Sequence, residues 1–88
     1  MPRHKKGTIV RAYTEEELGA EEWDANDGGK HIHPHGYIWI VQRWIPVTHP
    51  ENEYNYDAYE CRSVATGAVK QLFPKEITTK LHKEQTND

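Results

Sequence analysis

Apolar and β-branched residues along the chain gather in short runs of strand length, set apart by polar or glycine-containing stretches. The first run, GTIVRAY at residues 7–13, follows a glycine and is rich in side chains that suit a pleated surface. The densest run is GYIWIVQRWIPV at residues 36–47. It is apolar on both faces over 37–41 and then admits Gln42 and Arg43. That pattern predicts a strand buried on both sides at one end, with a bend or bulge near Gln42. Pro46 has no N–H to give to a ladder, which places the end of this run at an edge. Residues 58–65 predict a third strand, Thr66-Gly67 a tight turn, and residues 68–73 the returning partner. Residues 74–77 read as one short helical turn and residues 78–81 as a last short strand.

The stretches between the runs have their own signals. Thr14 and Glu17 stand three apart, as a capping box requires, and a short helix is expected over about 15–24. Asn26, Asp27, Gly28 and Gly29 then stop it, because these residues tolerate positive φ. Residues 48–57 are polar and read as a loop, and residues 83–88 as a fraying end. There is no internal repeat.

The order of strand, long loop, long strand, loop, tight hairpin, helical turn and terminal strand is that of a small SH3-like antiparallel barrel. Residues 7–11 (GTIVR), 36–41 (GYIWIV), Thr66-Gly67 and 72–77 (LFPKEI) together resemble the strand starts and closing turn of KOW- and Tudor-type barrels, over about half the chain. The resemblance implies a mainly β fold in one domain spanning residues 1–88, with a core over about 7–82 and a long acidic first loop that holds the short helix.

Composition narrows the picture. A chain of 88 residues has room for one modest core, and only 35% of it is hydrophobic against 28% charged. Three Trp, five Tyr and one Phe must therefore supply much of the buried area. Cys61 is the single cysteine, so no intrachain disulfide forms and a reducing, cytoplasmic setting is expected. The basic start at residues 3–6 is followed by no apolar run, so no signal peptide is expected, and no apolar stretch is long enough to span a bilayer.

Candidate chemistry begins with His31, His33 and His35. If extended, their imidazoles share one face and could ligate a divalent metal, with Asp24 or Asp27 completing the shell. The competing expectation is a polar loop that Pro34 steers into the central strand. The spacing is similar to a cupin metal site, but the downstream Glu is missing and the chain is too short. A calcium loop around Asp24 and Asn26 fails because His35 stands where a bidentate Glu is needed. Cys61 lies inside an expected strand and has no base nearby in sequence. No phosphate loop or nucleophile elbow exists, and the expectation is no enzyme and no cofactor.

Charge is segregated. Residues 1–13 carry Arg3, Lys5, Lys6 and Arg11 without an acid, whereas residues 14–29 carry Glu15, Glu16, Glu17, Glu21, Glu22, Asp24 and Asp27 without a base. Lys70, Lys75, Lys80 and Lys83 follow later. With first and last strands adjacent, the basic groups would share one face and the acidic loop would form a lobe, so the net charge of −3 conceals a dipolar surface. Mimicry of nucleic-acid phosphates by the acidic run is disfavoured, because one loop does not reproduce two phosphate tracks.

Tyr54 and Tyr56 lie in a polar loop among Glu53 and Asp57, whereas Tyr59 falls in a strand and is expected in the core. Aromatic faces beside carboxylates suit a cationic group of a partner. The leading expectation is a non-catalytic module that binds a partner protein through Glu15, Glu16, Glu21, Glu22, Asp24, Tyr54 and Tyr56. The runner-up is a nucleic-acid-binding domain using Arg3, Lys5, Lys6, Lys75 and Lys80, with an exposed Trp or Tyr stacking on a base. A His-based metal protein is third. Small chains without a catalytic motif are common among phage and accessory-operon proteins, which is an association of size and not of chemistry.

Overall fold

The computed structural model describes residues 4–80. Five strands, β1 (Ile9–Ala12), β2 (Ile38–Ile45), β3 (Ala58–Ser63), β4 (Val69–Leu72) and β5 (Ile77–Thr78), form one antiparallel sheet in the order β4-β3-β2-β1-β5. The fold is thus mainly β. The sheet is open: among the described residues its outer strands, β4 and β5, do not pair with each other.

β2 organises the sheet. Its first half pairs with β1, with Val10 opposite Trp39, and it pairs with β3 from Trp39 to Ile45. The register shifts between Val41 and Arg43, so Gln42 is the extra residue of a bulge. The bulge has a packing consequence. Before it, Trp39 and Val41 stand opposite Ser63 and Cys61, all fully buried; after it, Trp44 rather than Arg43 meets the buried Tyr59. Arg43 instead faces Glu60 at 2.9 Å and also pairs with Glu51. Ile38 and Ile40 are only half-buried, so the early part of β2 is less enclosed than two apolar faces imply.

The core joins Val10, Ala12, Trp39, Val41, Tyr59, Cys61, Leu72 and Ile77, with Trp44 packed against it. Trp39 is wholly buried and its indole N–H donates to the Gly36 carbonyl at 3.1 Å, so the large ring hides without an unpaired polar atom. Ile32, in the long first loop, also enters this core.

That loop carries two short helices, α1 (Glu15–Leu18) and α2 (Ala20–Ala25), in place of the single helix expected. The break is Gly19, whose φ of +90° lies outside the helical region. Glu17 closes half of the expected capping box by accepting the Thr14 backbone N–H at 2.9 Å. The stop at residues 26–29 matches the turn chemistry, with Asp27, Gly28 and Gly29 all at positive φ. A 3-10 turn at Pro74–Glu76 leads into β5, which lies one residue earlier than residues 78–81 suggest, because the buried Ile77 anchors it opposite Ala12. Arg3, Leu81 and the polar end at 83–88 lie outside the described residues.

Candidate functional site

The acidic loop is fastened to the sheet by its own cations. The Arg11 guanidinium, buried in β1, donates from both terminal nitrogens to the Glu17 carboxylate at 2.8 Å each, and its Nε donates to the Lys80 carbonyl at 3.0 Å. This pair holds the Glu17 carboxyl down at about 2, chiefly through the Arg11 hydrogen bonds, and raises the Arg11 guanidinium in return. Further along the loop, in α2, Glu22 is reached by Lys75 at 2.9 Å. The dipolar surface expected from the sequence is therefore partly closed within the molecule: Arg11 and Lys75 are each engaged by a lobe carboxylate.

Aromatic packing supplies the second attachment. The His33 ring lies 4.7 Å from Trp23 of α2 and 4.2 Å from Tyr37, measured between centroids, and its Nε2 bonds to the Tyr13 carbonyl at 3.1 Å. His33 thus joins loop to sheet. His31 faces Asp27 at 3.0 Å in an exposed pair one helical turn apart, and His35 contacts Thr66 at 3.3 Å and sits edge-on to Trp39.

The metal expectation assumed an extended segment. The structure has a turn followed by a 3-10 helix at His33–His35, with Pro34 inside it, and Ile32 turned into the core. The three imidazoles consequently point to three different sets of neighbours. Among the described residues no group of three or more His, Cys, Asp or Glu side chains is placed to hold a metal ion.

A groove of about 500 Å³ opens between α2 and the turn at Pro74–Glu76. Glu22 and Lys75 stand along it with Tyr56, Asp57, Phe73 and Glu76. The loop that brings Tyr54 and Tyr56 here is pinned by side chains. The Asn52 side-chain amide donates to the backbone carbonyls of Ile45 and Tyr56 at 2.9 Å each, and its Oδ1 accepts the Tyr54 N–H at 2.7 Å. Asp57 accepts the Val47 N–H at 2.8 Å, and Gln71 of β4 donates to the Glu51 carbonyl at 2.7 Å.

Tyr54 and Tyr56 both pack edge-on against Phe73, with centroids 4.9 and 5.3 Å away. Tyr56 is 67% exposed and borders the groove, while Tyr54 borders a smaller hollow that also touches Phe73 and Glu76. Glu76 is 4% exposed; burial pushes its carboxyl above the ordinary range, opposed by the Phe73 N–H that it accepts at 3.0 Å. That bond also caps the 3-10 turn.

Of the residues singled out in the sequence, Glu22, Tyr56 and Lys75 line this groove, and Tyr54 packs next to it on Phe73. Glu15, Glu16, Glu21 and Asp24 stand exposed on the lobe and do not line the groove. Asp57, already noted as a carboxylate beside the tyrosines, lines the groove as well, and Phe73 and Glu76 are additions. The one signal for them was the Phe73-Pro74 step at the end of an apolar run, which marks a strand meeting a turn.

The cations of the nucleic-acid reading stand in separate settings. Lys5 and Lys6 are exposed just before Gly7, whose N–H bonds to Val41 O at 2.7 Å; Lys75 lies at the groove; Lys80 follows β5 beside Arg11. Trp39 is core, and Trp44 packs on Tyr59 at 4.8 Å. Cys61 is buried in β3, and burial pushes its thiol up to about 12, so it carries no thiolate at neutral pH. No helix among the described residues is long and apolar enough to cross a membrane. Comparison with family models, with curated proteins and with solved structures finds no match to this chain.

Proposed function

We propose that this protein is a non-catalytic binding module, a small SH3-like barrel that receives a cationic segment of a partner protein in the groove between α2 and the 3-10 turn. The observation that carries this reading is the convergence of three carboxylates, Glu22, Asp57 and Glu76, with the rings of Tyr56 and Phe73 along one groove. A cation gains from both, since carboxylates attract it through charge and ring faces through their quadrupole. The barrel assignment draws on the strand order, with β1 between β2 and β5, and on the 3-10 turn that precedes β5.

The nucleic-acid reading has less support, because Lys75, one of its cations, already faces Glu22 of the lobe. A titration of the protein with an arginine-containing peptide and with a single-stranded oligonucleotide, each at low and high salt, separates the two. The groove reading expects peptide binding that Tyr56→Ala weakens about tenfold, mainly through faster dissociation. Reversing Glu15, Glu16 and Glu21 to Lys should slow association and lessen its salt dependence, because rim charges steer encounter. Oligonucleotide binding that depends on Lys5 and Lys6 and falls steeply with salt, without peptide binding, would overturn it.

A further inference from the structure

Among the described residues that line the groove, Lys75 is the one cation, against Glu22, Asp57 and Glu76. It does not stand apart from them, for its ammonium lies 2.9 Å from Glu22 Oε1 across the space between the 3-10 turn and α2. Both side chains remain well exposed, at 64% and 43%. An exposed pair of this kind contributes little to stability, so its position is not explained by a need to hold the fold. It is also easily opened, which a groove that admits a ligand requires.

We propose that Lys75 is a built-in competitor for this groove, holding on Glu22 the place that an arginine side chain of the partner takes on binding. The inference rests on the groove being the binding site. Arginine fits the position better than the resident lysine does. Its planar guanidinium can donate to both oxygens of one carboxylate while lying against an aromatic face, whereas an ammonium is a point charge that is strongly hydrated. The edge-on packing of Tyr56 on Phe73, at 74°, sets two ring planes nearly at right angles along the groove that Glu22 also lines, which offers a flat cation a ring face as well as a carboxylate. Displacement of Lys75 then costs only a weak solvent-exposed pair, so the lysine tunes affinity without closing the groove. It also disfavours weakly basic segments, which must supply more than the lysine already does.

The test is calorimetric titration of the whole protein with a blocked peptide of alternating alanine and arginine, at low salt. Lys75→Gln should bind this peptide roughly three- to fivefold more tightly than wild type, the scale of one exposed ion pair. Lys5→Gln removes the same charge away from the groove and should leave affinity unchanged. In a Glu22→Gln background the gain from Lys75→Gln should disappear, because there is no longer a carboxylate to compete for. A Lys75→Gln variant that binds no more tightly than Lys5→Gln, or more weakly than wild type, overturns the competitor role while the groove reading stands. If neither wild type nor Lys75→Gln binds the peptide, the groove reading falls and the inference with it.

Discussion

Gly29 sits where the first loop closes on the sheet, at φ +80°, and a Cβ there would run into the Trp23 ring and approach His33 Nδ1 to 2.8 Å. The residue is therefore required twice, by its backbone conformation and by the approach of the aromatic stack. Gly29→Ala is expected to lower stability by about 1–3 kcal/mol in chemical denaturation, through left-handed strain and overpacking together. A change below about half a unit on that scale would show that Trp23 and His33 do not pack there. The neighbouring residues explain why the histidine pattern misleads. In the triplet His31-Ile32-His33 the side chain that matters to the core is Ile32, 2% exposed, and the alternation around it reflects one inward apolar residue rather than a ligand face. Nothing in residue type distinguishes these two origins of an alternating pattern; only the turn at Gly29 and the 3-10 helix through Pro34 do.

Elements whose cause is local were legible in the sequence. The bulge at Gln42, the hairpin around Thr66-Gly67 and the helical turn after Phe73 each follow from a polar intrusion, a glycine or a proline at that very place. Elements set by distant partners were not. The first half of the helix expected over about 15–24 is directed by Arg11, which lies in another element, whereas its division at Gly19 is local. This anchoring makes a prediction with a definite sign. The Glu17 carboxyl is held at about 2 against an ordinary 4.5, so its contribution is complete above 4.5 and is lost as pH falls toward 2. Glu76 acts oppositely: its raised carboxyl holds a proton more tightly when folded, so its contribution falls as pH rises through and above 4.5. Glu17→Gln should lower stability at neutral pH by about 1–2 kcal/mol and flatten the acid limb of a denaturation series between pH 4.5 and 2. An acid limb as steep as that of wild type would place the acid sensitivity elsewhere.

Across the whole molecule, charge separated along the chain is brought together by the fold. The Arg11–Glu17 pair fastens the start of the acidic loop to the sheet, the exposed Lys75–Glu22 pair adds a weak contact across the groove, and Asp57 and Glu76 stand along the same groove with Tyr56 and Phe73. Half of this site could be read beforehand, since an acidic loop and a tyrosine-rich loop are visible as composition. Their meeting could not, because it depends on the Pro74–Glu76 turn lying between α2 and the Asn52-pinned loop. The same meeting leaves Glu15, Glu16 and Glu21 in the role of steering charges and makes Glu22 the lobe residue in direct reach of a ligand. The central claim is that a cationic peptide segment binds in this groove, and backbone amide chemical-shift mapping of the whole protein tests it most directly. On titration with the arginine-containing peptide, shifts should concentrate at Glu22, Asn26, Tyr54, Tyr56, Phe73 and Glu76, with Lys5, Lys6 and Thr8 unmoved. Shifts centred on residues 4–8 and 79–80, or none anywhere at saturating peptide, would contradict it.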